Sequence, residues 1–211
     1  MTIDQTEAAK PTFLAIDTET TGLFDFKRPA DDPDQPRLAS VAFIIADEFG
    51  REIEAVTRYV RPDGWEMPAE ANSVNGLTTD FLDANGLPIA DVLDEYAAHV
   101  EGGLVVVAFN AQFDCKVMRA ELRRAGRPDL FEQTANICVM RGLHPYGQQG
   151  LGIRKGFVKL SAACEWFGIV NESAHDAMSD AAAARAILER LIADENLPEA
   201  KVHYAKEGRI A

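Results

Sequence analysis

Four carboxylates and one histidine stand out by type and spacing. Asp17 and Glu19 lie two residues apart at the end of an apolar run, in Asp17-Thr18-Glu19-Thr20-Thr21-Gly22. On a strand, residues two apart share a face, so both carboxylates project together. Two neighbouring anions are costly to bury unless a cation lies between them, and hard divalent cations take oxygen ligands. An isolated Asp-x-Glu is nevertheless more often a solvated strand end. Asp114 falls in the first turn of an expected helix, where the helix dipole keeps a carboxylate ionised. Asp180 opens another helix, with His175 just ahead of it and Asp176 placed as its N-cap. Each of these alone has a bland explanation in helix-end complementarity or loop packing.

Together they say more. The order is Asp-x-Glu at a strand end, Asn110-x-x-x-Asp114 opening a helix, then His175-x-x-x-x-Asp180 opening another. Strand ends and helix starts meet at one edge of an α/β sheet, where sites form. Four carboxylates gathered there would hold two divalent ions roughly 3.5–4 Å apart, the arrangement that clamps the attacking and leaving oxygens of a phosphoryl displacement. A histidine titrates near neutral pH and suits the proton-accepting role beside such a site.

The elements that must position these groups can be read from the hydrophobic pattern. Thr12 to Asp17, Arg37 to Asp47 and Arg51 to Val60 read as strands, the last two joined by the short connection Glu48-Phe49-Gly50. Lys27 to Pro36 is rich in Asp and Pro and is expected to be an exposed loop. Pro88 to Val100 has helical spacing, with Gly102 beyond its end. Leu104 to Phe109 is a continuous apolar run, as in a strand covered on both faces. A helix is expected from Asn110 to about Ala125, a short one over Ser161 to Phe167, and a strong one over Ala177 to Ala193 with Ala177, Ala184, Leu188 and Leu191 on one stripe. A meander followed by alternating helices and strands predicts an α/β fold.

The 211 residues suffice for one sizeable domain. Residues 1–11 are expected to be a disordered tail, 12–195 the domain, and 196–211 a polar C-terminal tail. No apolar run is long enough to cross a membrane, and the N-terminus lacks the features of a secretion signal, which makes a cytoplasmic location the expectation. Cys115, Cys138 and Cys164 form no metal-type or disulfide framework. The net charge of −13 argues against a protein that coats duplex DNA, though not against an enzyme that grips a few nucleotides with metal ions supplying local positive charge.

The three motifs carry a resemblance. Asp17 to Gly22, Phe109-Asn110-Ala111-Gln112-Phe113-Asp114 and His175-Asp176-Ala177-Met178-Ser179-Asp180 are similar, in order and spacing, to those of the DEDDh family of 3′→5′ exonucleases. That family includes the proofreading subunit of bacterial replicative DNA polymerases, RNase T and oligoribonuclease. Weaker similarity covers Glu70 to Leu77 and Lys159 to Cys164. The resemblance runs from about Thr12 to Ala193. It implies a ribonuclease H-like fold with a mixed five-stranded sheet, an antiparallel meander plus parallel strands, flanked by helices. It implies that Asp17, Glu19, Asp114 and Asp180 are metal ligands for two divalent cations, Mg2+ or Mn2+, and that His175 is the general base. Thr20, Gly22, Leu23, Asn75 and Phe113 would line the pocket for the 3′-terminal nucleotide. The family often has His where this chain has Phe109 and Asn75, which bears on the fit of the terminal sugar and base and not on the metal ligands.

The implied activity is release of nucleoside 5′-monophosphates from the 3′ end of DNA, single-stranded or frayed. The alternatives are an RNA-trimming enzyme of the same family and a non-catalytic polymerase-accessory module that binds nucleic acid. A DNA polymerase subunit is the implied protein partner. The family's polymerase-binding extension is not found after Leu197, which favours a stand-alone enzyme. Two basic groups are expected to guide a strand or simply to face solvent: Arg119, Arg123 and Arg127, and Arg154, Lys155 and Lys159.

Overall fold

A computed structural model describes residues 9–130 and 134–202. The chain opens with an antiparallel meander of β1 (Phe13–Thr20), β2 (Leu38–Ala46) and β3 (Glu52–Tyr59). Two short helices, α1 (Ala69–Asn75) and α2 (Thr79–Asn85), lead to α3 (Ile89–Glu101). Then come β4 (Val105–Ala108), α4 (Ala111–Arg124) and β5 (Ala135–Cys138). The one-turn helices α5 (Val139–Gly142) and α6 (His144–Gly147) precede α7 (Leu160–Phe167) and α8 (Ala177–Ala193), and β6 (Lys201–Val202) ends the described chain.

The strands form one sheet in the order β3-β2-β1-β4-β5-β6, with β1, β4 and β5 parallel to one another and β2 and β6 antiparallel to their neighbours. The expected five strands become six. The added strand lies in the expected C-terminal tail, where Lys201 pairs with Asn136 and Val202 with Ala135. Two residues are too few to leave a periodic signal, and the pairing covers the otherwise bare edge of β5. The expected tail 1–11 lies outside the described residues apart from its last three, as does 203–211 of the other.

Alternation along β1 divides the interior into two layers. Phe13 and Ala15 face a core built with α7 and α8, through Ala42, Ala181, Ala184 and Leu188. Leu14 and Ile16 face a second core with α3 and α4, through Leu93, Tyr96, Met118 and Leu122. The alanines of α8 meet Ala15 and Ala42 on the sheet, so small residues on both sides let the helix lie close to it. At the far end, the β2–β3 turn docks on the same helix. A side chain on Gly50, whose φ is +81°, would begin 3.0 Å from the Cα of Glu189, and Arg185 donates to the Gly50 carbonyl at 2.9 Å. The alternation that sorts the core continues to the end of β1, and there it sorts carboxylates.

Candidate active site

Registered pairing of β1 with β4 ends at Ala15↔Val107, while pairing with β2 continues through Glu19↔Ser40. The five residues of β1 beyond Ala15 therefore have no registered partner in β4. On this stretch Asp17 and Glu19 continue the row of Phe13 and Ala15, so they face α8. Thr18 continues the row of Leu14 and Ile16, towards α4.

The first turn of α8 supplies the third acid. Asp176 caps the helix, accepting from the Ser179 N–H at 3.0 Å. One turn in, Asp180 is held by two donors: the Asn171 amide at 2.6 Å and the His175 backbone N–H at 3.1 Å. One carboxylate oxygen from each of Asp17, Glu19 and Asp180 lies within 4.8 Å of the others. Asp114 stands beside this trio and not in it. It comes from the opposite layer, on α4, and its Oδ1 accepts from the Thr18 N–H at 3.0 Å and the Thr18 hydroxyl at 2.8 Å. Asp114 thus replaces the backbone acceptor that β4 no longer offers to Thr18. No other residue among those described donates a hydrogen bond to its Oδ2.

The crowding shows in the acidities. Burial, then the charges of Asp114, Asp180 and Glu19, holds Asp17 well above the usual carboxylate range. Burial and the nearby Asp180 push Glu19 up to about 8, against a hydrogen bond from Asn75. Burial raises Asp114 to about 7 even though the Thr18 hydrogen bonds favour its anion. No Lys or Arg pairs with any of these acids among the described residues. A set of crowded carboxylates that hold their protons, with no Lys or Arg paired to them among the described residues, fits divalent metal in both donor type and charge.

These acids line one wall of a cavity of about 660 Å3, and Thr20, Gly22, Leu23, Asn75, Phe113 and His175 are among the residues that line the rest. The five residues expected to form a nucleotide pocket are therefore brought together. Leu23 is 94% exposed, so its apolar surface is largely uncovered by the described residues. Asn75, at the end of α1, donates to the Thr20 carbonyl at 3.3 Å and accepts from the Leu77 N–H at 3.1 Å, which fixes α1 against the end of β1. Thr21 is not free to bind a ligand through its N–H, which is bonded to the Arg37 carbonyl at 2.9 Å. His175 is exposed at the cavity mouth with φ +66°, a conformation held by the adjoining bond to Asp180.

A family model described as Exonuclease, RNase_T, matches residues 14–188, from β1 to near the end of α8. The chain belongs to this exonuclease family. A DNA polymerase III subunit epsilon from Treponema pallidum is 25% identical over 93% of this exonuclease and 79% of its own length. Among solved structures, E. coli exonuclease I in complex with a dT13 oligonucleotide superposes with a TM-score of 0.71 at 22% identity, covering 86% of this chain and 41% of that one. The zinc-bound form of E. coli exonuclease I with single-stranded DNA gives 0.70 at 23% identity, covering 88% and 42%. The exonuclease spans about two fifths of the chains it superposes on, and the shared architecture is the expected ribonuclease H-like fold. Members of the family depend on divalent metal, which agrees with the carboxylate cluster.

Sequence reasoning missed two residues of the exonuclease's site. Thr18 was overlooked although it lies inside the first motif; the alternation that pairs Asp17 with Glu19 also sends Thr18 to the α4 side. Asn171 left no signal, being one amide in a polar loop that only the fold brings to Asp180. One expectation is corrected. Arg119 and Arg123 both bond Asp129, at 2.7 and 2.8 Å, and Arg127 pairs with Asp94, so these arginines secure α4 and do not form a free basic stripe.

Proposed function

We propose that this exonuclease releases nucleoside 5′-monophosphates from the 3′ end of single-stranded or frayed DNA, using two divalent cations, Mg2+ or Mn2+, and His175 as the general base. The observation that carries the reading is the convergence of Asp17, Glu19 and Asp180 within 4.8 Å, beside Asp114, at the edge of a cavity with an exposed Leu23.

Each residue then has a task. Asp17, Glu19 and Asp180 would hold metal on the α8 side, and the unengaged oxygen of Asp114 on the α4 side. Divalent ions held there would neutralise the acids and would supply the positive charge that a phosphoryl displacement requires. Leu23 packs against the terminal base, an apolar contact that tolerates any sequence. Thr20, Gly22, Asn75 and Phe113 enclose the terminal sugar. His175, at the open mouth, accepts the proton of the attacking water at an imidazole nitrogen, and its loop is tied to Asp180, so base and metal ligand keep a fixed relation. The Treponema relative's name supports a DNA polymerase subunit as a partner.

The test is digestion of 3′-labelled and 5′-labelled DNA and RNA single strands of one sequence, with Mg2+, with Mn2+ and with excess EDTA. Stepwise loss from the 3′ end, faster on DNA and abolished by EDTA, is expected. Faster loss from RNA would move the substrate to ribonucleic acid. An absence of cleavage under every metal would overturn the enzymatic reading in favour of a binding module.

A further inference from the structure

Next to the proposed catalytic cavity lies a second one, of about 520 Å3, and nothing in the reaction described above uses it. Its walls include Gln112 at the start of α4, Arg141 and His144 on α5 and α6, Phe157 in the following loop, and Glu199 and Lys201 near β6. The two cavities flank Asn110, which lines both and whose side chain makes no capping bond to α4. They therefore adjoin along the carboxyl-terminal edge of the parallel strands.

Their chemistry differs. The first is walled by acids. The second carries Arg141 and Lys201 against the single carboxylate of Glu199, in a chain of net charge −13. Neither cation has an ion-pair partner among the described residues, whereas Arg119 and Arg123 of α4 are committed to Asp129, Arg124 to Glu121, and Arg127, just beyond the helix, to Asp94. Phe157 is 64% exposed, held at the base of a tight turn in which it and Arg154 exchange backbone hydrogen bonds at 2.9 Å. An exposed aromatic ring beside unpaired cations is what a single strand needs: a face for a base to stack on and charge for its backbone.

Building on the exonuclease reading, we infer that this second cavity is a subsite for a nucleotide upstream of the scissile bond, with Phe157 stacking on its base and Arg141 and Lys201 engaging its phosphates. The strand would cross from one cavity to the other over Asn110. It follows that affinity depends on substrate length, because a one-nucleotide substrate fills the first cavity and cannot reach the second.

The experiment compares the p-nitrophenyl ester of thymidine 5′-phosphate with thymidine oligonucleotides of increasing length, in the full chain and in the variants Phe157→Ala and Arg141→Gln/Lys201→Gln. Each variant is expected to raise KM for the longer oligonucleotides about tenfold and to leave ester turnover unchanged. Anisotropy binding of a labelled oligonucleotide in Ca2+ should show the double variant's salt slope reduced by about 1.4, as expected for two lost phosphate contacts on a single strand. Unchanged KM at every length would overturn the subsite while leaving the exonuclease reading intact. Equal losses on ester and oligonucleotide would also overturn it, by tracing the defect to the catalytic cavity or the fold. A wild-type chain inert on the ester and every oligonucleotide would instead overturn the exonuclease reading itself, and the subsite with it.

Discussion

Replacing Glu19 with Gln should stabilise the metal-free protein. The carboxyl is pushed from an ordinary value of 4.5 to about 8, first by burial and then by Asp180. Between those two pH values the folded chain keeps a proton that the unfolded chain has released, so stability falls as pH rises through the window. At about 1.36 kcal/mol per pH unit the full cost near pH 8 approaches 5 kcal/mol. Glu19 is only half-buried and solvent screens part of this, which leaves roughly 2–3 kcal/mol. Gln has nearly the same shape and no proton to lose, so the variant escapes that cost. For a chain of this size the gain corresponds to about 5–10 °C in Tm. Thermal unfolding of both proteins in EDTA should show Tm values that nearly coincide near pH 4.5 and separate towards pH 8, with the variant higher. Excess Mg2+ should then raise the wild-type Tm and leave the variant almost unmoved, because a ligand has gone. A variant less stable than wild type near pH 8 in EDTA would refute the picture of acids kept in mutual repulsion until metal arrives. So would a stability difference that does not change with pH.

Other outcomes follow from the same geometry. Asp180→Asn should abolish cleavage while the protein stays folded, as circular dichroism and single-turnover kinetics would show together; near-normal turnover would remove Asp180 from the metal site. His175→Ala should slow the chemical step by about 10²–10⁴-fold and spare metal affinity, measured by single-turnover rates beside a metal titration. Metal affinity should climb with pH up to about 8, with net proton release when Mg2+ binds, because Glu19 and Asp114 hold protons in the metal-free state; calorimetry in buffers of different ionisation enthalpy would reveal the release. Thr18→Val, which keeps the shape and removes the hydroxyl donor to Asp114, should weaken metal binding by about 1–2 kcal/mol without touching any ligand.

The sequence was most legible where periodicity and chemistry coincide. The helix Ala177–Ala193 is found with the expected bounds, because its alanine and leucine stripe and the capping Asp176 both mark it. The meander, β4 and α4 differ from expectation mainly at their ends, where β1 runs on to Thr20. Elements too short for a period to register stayed hidden: α1, α2, β5, α5, α6 and β6 each span seven residues or fewer. The Lys27–Pro36 segment is indeed a loop, but composition did not reveal how firmly it is tied. Glu121, 2% exposed, accepts from Arg37, Arg124 and the Leu38 N–H, and Arg124 reaches on to the carbonyls of Asp32, Gln35 and Pro36. A buried acid on α4 thereby steadies the return of the loop that begins at Leu23. Contacts between residues more than eighty positions apart leave no trace in a local pattern.

The acidic composition pointed away from nucleic acid, and its distribution in the fold removes the conflict. The four acids of the site form a local charge that divalent ions can cancel, so they need not repel a phosphodiester once metal is present. On α4 and the β1–β2 loop the arginines are spent inside the protein: Arg28 on Asp25, Asp32 and Asp34, Arg119 and Arg123 on Asp129, Arg124 on Glu121. Arg141, Arg154, Lys155, Lys159 and Lys201 have no ion-pair partner among the described residues, and Arg141 and Lys201 open on the second cavity. Net charge averages over both populations and so says little about binding. What matters is which cations remain uncommitted, and where an exposed apolar side chain stands beside them. By that measure the strand's route is from the exposed Leu23, past the carboxylates and Asn110, to the exposed Phe157. Such a route needs few phosphate contacts, so its affinity should fall only gently with salt, unlike that of a basic protein wrapped along duplex DNA.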